Sequence, residues 1–286
     1  MFIPNSSKKE CRLMLSARRL IVKIGSTLIA DAETGEIHGP WLERLIEDVV
    51  RFLKRGQEVI IITSGAVTLG SCHFTRSDGL LGIGKKQAAA AIGQVRLMLA
   101  FEQSLKRNGF GMGQVLLARE DFDDQHRRGN LRSTLQQLLK VGAVPVLNEN
   151  DTTAAVETCF GDNDRLAAQV PQLLGADLLI LLSDVDGLFT EDPHRSSSAR
   201  LVREVRRITP EIEGMAADSA SGRGSGGMVT KLMAARIAMD AGCIMVIAKG
   251  KEPCPLTAIA NGGTSTWFLP QVGSPADRPI GQWKRP

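Results

Sequence analysis

Five short runs in this sequence are apolar at successive positions rather than alternate ones: LIVKIG (20–25), EVIIITSG (58–65), AVPVLNEN (143–150), DLLILLSD (177–184) and IMVIAKG (244–250). A strand with one wet face alternates polar and apolar residues. A strand with no polar face must be covered on both sides, the condition of a parallel sheet held between layers of helices. GQVLLA (113–118) reads as a sixth strand. Between the runs lie longer segments with apolar residues at helical spacing, over 40–56, 85–109, 130–142, 163–175 and 228–242. The first of these has proline near its start and glycine past its end, the usual helix punctuation. Pro171 should kink or shorten the fourth. Alternating strands and helices predict right-handed crossovers and a doubly wound α/β sandwich.

The remaining bounds are exclusions. With 286 residues the chain forms one large α/β domain or two ordinary ones. No apolar run approaches the ~18 residues of a membrane span, and MFIPNSSKKECRLMLSARR lacks the apolar centre of a signal peptide. The five cysteines show no paired spacing, which suits reduced thiols in a cytoplasm. The four histidines form no metal-ligand spacing, so no protein-held metal is expected. Net charge is only +4, aromatics are 4% of the chain and no basic stripe is visible. Neither nucleic acid nor a membrane is therefore an expected partner. No linker, low-complexity segment or internal repeat divides the chain.

In parallel sheets ligands bind beyond the carboxyl ends of the strands. That rule points to KIGS (23–26), TSGA (63–66), NEND (148–151), SDVDG (183–187) and AKGK (248–251). Lys23 interrupts an apolar strand and is followed by glycine and hydroxyl residues, as a ligand-facing lysine would be. It could also be a lysine snorkelling from a strand end. TSGA offers free N–H groups suited to a carboxylate or phosphate, or is simply a tight turn. The segment 148–164 crowds acidic residues and asparagines into one loop that starts on a buried strand. It could bind an ammonium group, act on Mg²⁺ indirectly, or hold lysines in place.

GRGSGGMVTK (222–231) leads into a helical pattern. Its glycines satisfy G-x-G-x-x-G, but no strand precedes them, which weakens a dinucleotide fingerprint. GLLGIGKK (79–86) misses the nucleoside-triphosphate loop pattern because Lys86 stands where a serine or threonine is required. The glycine run at 222–227 reads as a flexible connection or as a phosphate cradle. In a cradle, backbone N–H groups and the helix start near Met228 face an anion and Lys231 adds its ammonium.

KIGS, TSGAV, KKQAAAAIGQ, VPVLNENDT, FGDNDRLAA, LLSDVDGLFTEDP and GSGGMVTKLMAARIA occur in this order. The ordered set resembles the amino acid kinase superfamily and, within it, the glutamate 5-kinase family, over about residues 18–270. The resemblance implies a three-layer αβα sandwich with a mainly parallel central sheet. It implies ATP with Mg²⁺ as phosphoryl donor and the side-chain carboxylate of L-glutamate as acceptor, at the start of proline synthesis. By matched motif, Lys23, Asp164 and Lys231 would be catalytic, with Asp164 holding the two lysines. Ser64, Gly65, Asn148, Asp151, Asp162 and Asn163 would contact glutamate. Lys23, Ser183, Asp184, Ser225, Gly226, Gly227, Met228, Val229, Thr230 and Lys231 would hold ATP. Residues 1–17 would be an N-terminal extension, 18–270 the kinase domain and 271–286 a tail. A homo-oligomer, feedback inhibition by proline and a cytoplasmic location follow as expectations of the same resemblance. Many members continue into a small C-terminal PUA domain, for which this sequence leaves no room. The family loop usually reads GTGGM where this chain has GSGGM; Ser225 keeps the hydroxyl. The chemistry needs no general base, since a glutamate side chain with a pKa of about 4.3 is already ionised at neutral pH.

Overall fold

The computed structural model describes residues 5–74, 82–153, 163–193, 195–218 and 227–270. In chain order the first half comprises α1 (Asn5–Ser16), β1 (Arg19–Ile24), α2 (Ser26–Ile29), α3 (Gly39–Lys54), β2 (Glu58–Ile62), α4 (Ala66–Ser71), α5 (Ile83–Arg107), β3 (Met112–Leu117), α6 (Glu120–Asp123) and α7 (Gln125–Lys140). The second half comprises β4 (Val144–Glu149), α8 (Asn163–Leu174), β5 (Leu178–Ser183), β6 (Glu204–Val205), α9 (Pro210–Asp218), α10 (Met228–Asp240), β7 (Ile244–Lys249), α11 (Pro255–Ala260) and β8 (Ser265–Phe268).

The strands form one sheet in the order β3-β4-β2-β1-β5-β7-β8-β6. Pairings from β3 through β7 are parallel; β8 pairs antiparallel with β7, and β6 pairs parallel with β8. Each buried strand sends alternate residues to two cores. In β1, Leu20, Val22 and Ile24 join the cluster under α1, α3, α4, α5 and α11, while Ile21 joins the cluster under α7, α8 and α10. The result is the expected three-layer αβα sandwich with a mainly parallel centre. Leu13 and Met14 of α1, together with Ala17, are buried in the first of these cores.

The six strands and five long helices read from the sequence are all present, with shifted ends. The helix over 163–174 runs through Pro171 to Leu174, and Gly175 N–H then donates to Pro171 O at 2.8 Å. Proline there removes one hydrogen bond in the last turn, while Leu166, Ala167, Val170, Leu173 and Leu174 hold the helix against the core.

Candidate active site

The carboxyl ends of β1, β2, β4 and β5 meet the amino ends of α8 and α10 at one edge of the sheet. Lys23 lies in β1 between Val22 and Ile24, which face the first core. Alternation therefore sends its side chain to the α8–α10 face. There it forms an ion pair with Asp164 Oδ1. Lys231, in the first turn of α10, places Nζ 3.1 Å from Asp164 Oδ2. The carboxylate side chain is 1% exposed and the two lysine side chains 9% and 7%. Burial alone would raise the Asp164 pKa; the two ammonium groups outweigh it and hold the carboxyl below its ordinary value. Asp164 also sits in the first turn of α8, where a negative charge is favoured. The arrangement keeps two cations and one anion together in a nearly dry pocket, an excess of one positive charge.

Asn163, one residue earlier, is 8% exposed. Its Nδ2 donates to Thr63 O at 2.7 Å, Ser64 Oγ at 2.9 Å and Asn148 Oδ1 at 2.9 Å. The β2 turn is set by Gly65, whose φ of +98° lies in the left-handed region. A Cβ at that position would lie 2.7 Å from Ile29 Cγ2, so the turn requires glycine for both conformation and space. Asp151 follows β4; burial first and the Glu149 carboxylate second push its pKa up to about 6.

On the far side of Lys23, Ser183 ends β5 and its Oγ donates to Asp184 Oδ1 at 3.0 Å. Gly250 N–H donates to Ser183 O at 2.7 Å, fixing the neighbouring turn. Gly227 precedes α10, and its carbonyl accepts from Thr230 Oγ1 at 2.8 Å. Met228 is buried and Val229 exposed.

The structure thus brings together Lys23, Ser64, Gly65, Asn148, Asn163, Asp164 and Lys231 of the residues expected from the sequence. Asp151, Ser183, Asp184, Gly227, Met228, Val229 and Thr230 flank them. Asp162, Ser225 and Gly226, and with them most of the glycine run at 222–227, lie outside the described residues. Sequence reading gave no role to Gln94 of α5, whose Oε1 accepts from Asn148 Nδ2 at 2.8 Å. Its only signal was an amide on the inward stripe of α5 with Leu97, Met98 and Phe101.

A profile of the Amino acid kinase family matches residues 18–249. The chain belongs to that family. Glutamate 5-kinase 2 of Mesorhizobium japonicum is 69% identical over 265 residues, 93% of this chain and 93% of the relative. Glutamate 5-kinase of Paramagnetospirillum magneticum is 52% identical over 260 residues, 90% of this chain and 69% of the relative. Among solved structures, carbamate kinase from Giardia lamblia bound to AMP-PNP superposes with a TM-score of 0.63 at 14% identity, covering 90% of this chain and all of that one (100%). UMP kinase from Ureaplasma parvum gives 0.62 at 11% identity, covering 88% and 98%. The last two show that the amino acid kinase fold is shared.

Proposed function

We propose that this amino acid kinase transfers the γ-phosphoryl group of ATP to the side-chain carboxylate of L-glutamate, giving L-glutamyl 5-phosphate at the entry to proline synthesis. The observation that carries the proposal is the Asp164 carboxylate bridging Lys23 and Lys231, one residue from an asparagine bonded to the β2 and β4 ends. Two anions must be brought together, and phosphoryl transfer is largely positioning plus stabilisation of charge. Lys23 and Lys231 supply that charge, and Asp164 keeps both ammonium groups in place. A carboxylate oxygen attacks phosphorus, the bond to the β–γ bridging oxygen breaks, and ADP leaves. No proton needs to move, because the acceptor is already ionised.

In this reading the two ligands lie on the two sides of Lys23. Ser64, Gly65, Asn148, Asp151, Asp162 and Asn163 are assigned to the amino acid; Asp151 receives its ammonium group. Ser183, Asp184 and the segment from Ser225 to Lys231 take the nucleotide, with the start of α10 directed at its phosphates. Lysines and a helix amino end fit a polyphosphate. Mg²⁺ would be held through the phosphate oxygens of the nucleotide, as is common in kinases, and would supply further neutralising charge there. The same reading takes 18–270 as the kinase domain and includes self-association, inhibition by proline and a cytoplasmic location. No helix among the described residues is long and apolar enough to cross a membrane.

The test is a hydroxylamine trap. The purified chain with ATP, Mg²⁺ and L-glutamate is expected to give glutamyl hydroxamate and ADP, and to give neither without Mg²⁺. Hydroxamate from N-acetylglutamate and none from glutamate would overturn the substrate.

A further inference from the structure

Three side-chain amides, Gln94, Asn148 and Asn163, form a chain over the carboxyl end of β4, and their orientations are settled by two backbone groups of fixed polarity. Thr63 C=O can only accept, so Asn163 must turn Nδ2 toward it at 2.7 Å. Glu149 N–H can only donate, so Asn148 must turn Oδ1 toward it at 2.9 Å. That same Oδ1 accepts from Asn163 Nδ2 at 2.9 Å. Asn148 Nδ2 then faces Gln94, which must present Oε1 at 2.8 Å. The polarity leaves two ends over. Among the described residues, Gln94 Nε2 and Asn163 Oδ1 are buried without a hydrogen-bond partner. Both residues are 8% exposed.

An unmet amide N–H deep in a protein is costly and calls for a reason. A glutamate at position 94 would offer Asn148 the same acceptor without an unmet donor, but would add a negative charge beside a site for an anionic amino acid. Glutamine supplies the acceptor and stays neutral. Its placement is also specific. Gly93 has no side chain, and a Cβ there would lie 1.9 Å from Ala66 O. The α4 and α5 backbones therefore touch, which seats Gln94 against the end of β4.

We propose that Gln94 is a positioning residue of the amino-acid subsite: it fixes the amide of Asn148 and, through it, that of Asn163. This rests on the proposed function, since both asparagines belong to the glutamate side of that reading. Burial of Nε2 means that Gln94 acts through Asn148 rather than by touching the substrate.

The test is steady-state kinetics on the full chain with Gln94→Met, which keeps the length and removes the acceptor. The glutamate KM is expected to rise about tenfold, the effect of losing one buried hydrogen bond that orients a binding group. The ATP KM should stay within about twofold. A structural role alone would not couple to Asn148, so a double-mutant cycle adds the second readout. Gln94→Met combined with Asn148→Ala is expected to be no worse than Asn148→Ala alone. Equal changes in both KM values, no change in either, or additive losses in the cycle would overturn the inference. Should Gln94→Met not fold, Gln94→Glu retains shape and acceptor and is expected to raise the glutamate KM alone, by repulsion; a parallel rise for ATP, or no rise, would count against it. Absence of glutamate-dependent hydroxamate from the unaltered chain would sink the proposed function instead, so the two failures are distinguishable.

Discussion

Lys231 Nζ lies 3.1 Å from Asp164 Oδ2 while the other oxygen of the same carboxylate is paired with Lys23. One buried anion thus sets the position of two cations that come from elements more than two hundred residues apart in the chain. Asp164→Asn removes the anion and keeps the shape. Breaking a buried ion pair from one side costs about 3–5 kcal/mol, because uncompensated charge stays behind. Loss of activity together with a clear fall in thermal stability is expected. The sign of the pH effect follows from the lowered pKa of Asp164. Its stabilising contribution is present above the ordinary carboxylate value of 3.8 and fades as pH falls through the depressed one. Unfolding followed against pH should show a gap between wild type and variant that is constant near neutrality and narrows only below about pH 4. A gap that narrows on the alkaline side would contradict this.

Lys231→Met separates catalysis from architecture. Charge builds up on the transferring group mainly in the transition state, so the loss should fall on kcat more than on either KM. A drop of about 10²–10³-fold is expected, as for removal of one preorganised charge-stabilising donor. Lys231→Arg should recover only part, because a planar guanidinium does not replace a compact ammonium. Circular dichroism on the same sample shows whether the fold persists. A folded variant with near-normal kcat would confine this lysine to binding.

Asp48 supplies a control away from the site. It is fully buried in α3 and accepts from Leu256 N–H at 2.9 Å, Thr257 N–H at 3.0 Å and Arg51 Nη1 at 3.2 Å. Asp48→Ala leaves the first N–H groups of α11 without their acceptor, at a cost of about 2–3 kcal/mol. The melting temperature should fall by about 5–10 °C. KM values measured well below that temperature should not move. A variant that melts like wild type would show that water replaces the carboxylate at no cost.

The strands were legible because burial on both faces removes alternation, a signal that needs no partner to be read. Lys23 was legible for the converse reason, a charge inside such a run. Asp48 was not: it sits among polar residues of PWLERLIEDVVRFLKRG, and the N–H groups it caps are about two hundred positions away. The β6–β8 edge also escaped, since strands of two and four residues carry too little pattern to show that the sheet ends antiparallel. Gln94 drew no reading of its own, because the contact of α4 with α5 through Gly70 and Gly93, which seats it against β4, is visible only in three dimensions. The juxtaposition of Asp164 with both lysines came from the family resemblance and not from any spacing in the chain.

Asp151 gives the prediction that ties ionisation to substrate. Its pKa stands at about 6, raised first by burial and then by Glu149. A raised carboxylate pKa means that the folded protein favours the neutral form. Stability from this group is therefore full below the ordinary value of 3.8 and is lost as pH rises through about 6. Binding has the opposite preference, since an ammonium group attracts the ionised carboxylate and not the neutral acid. The glutamate KM should then rise as pH falls through about 6, and glutamate binding near that pH should release protons. Titration calorimetry in two buffers of different ionisation enthalpy measures the release. Asp151→Asn should raise the glutamate KM about 10- to 100-fold, leave the ATP KM near its usual value and flatten the glutamate pH profile. A variant whose ATP KM rises while its glutamate KM and pH profile stay as in wild type would place Asp151 on the nucleotide side of Lys23.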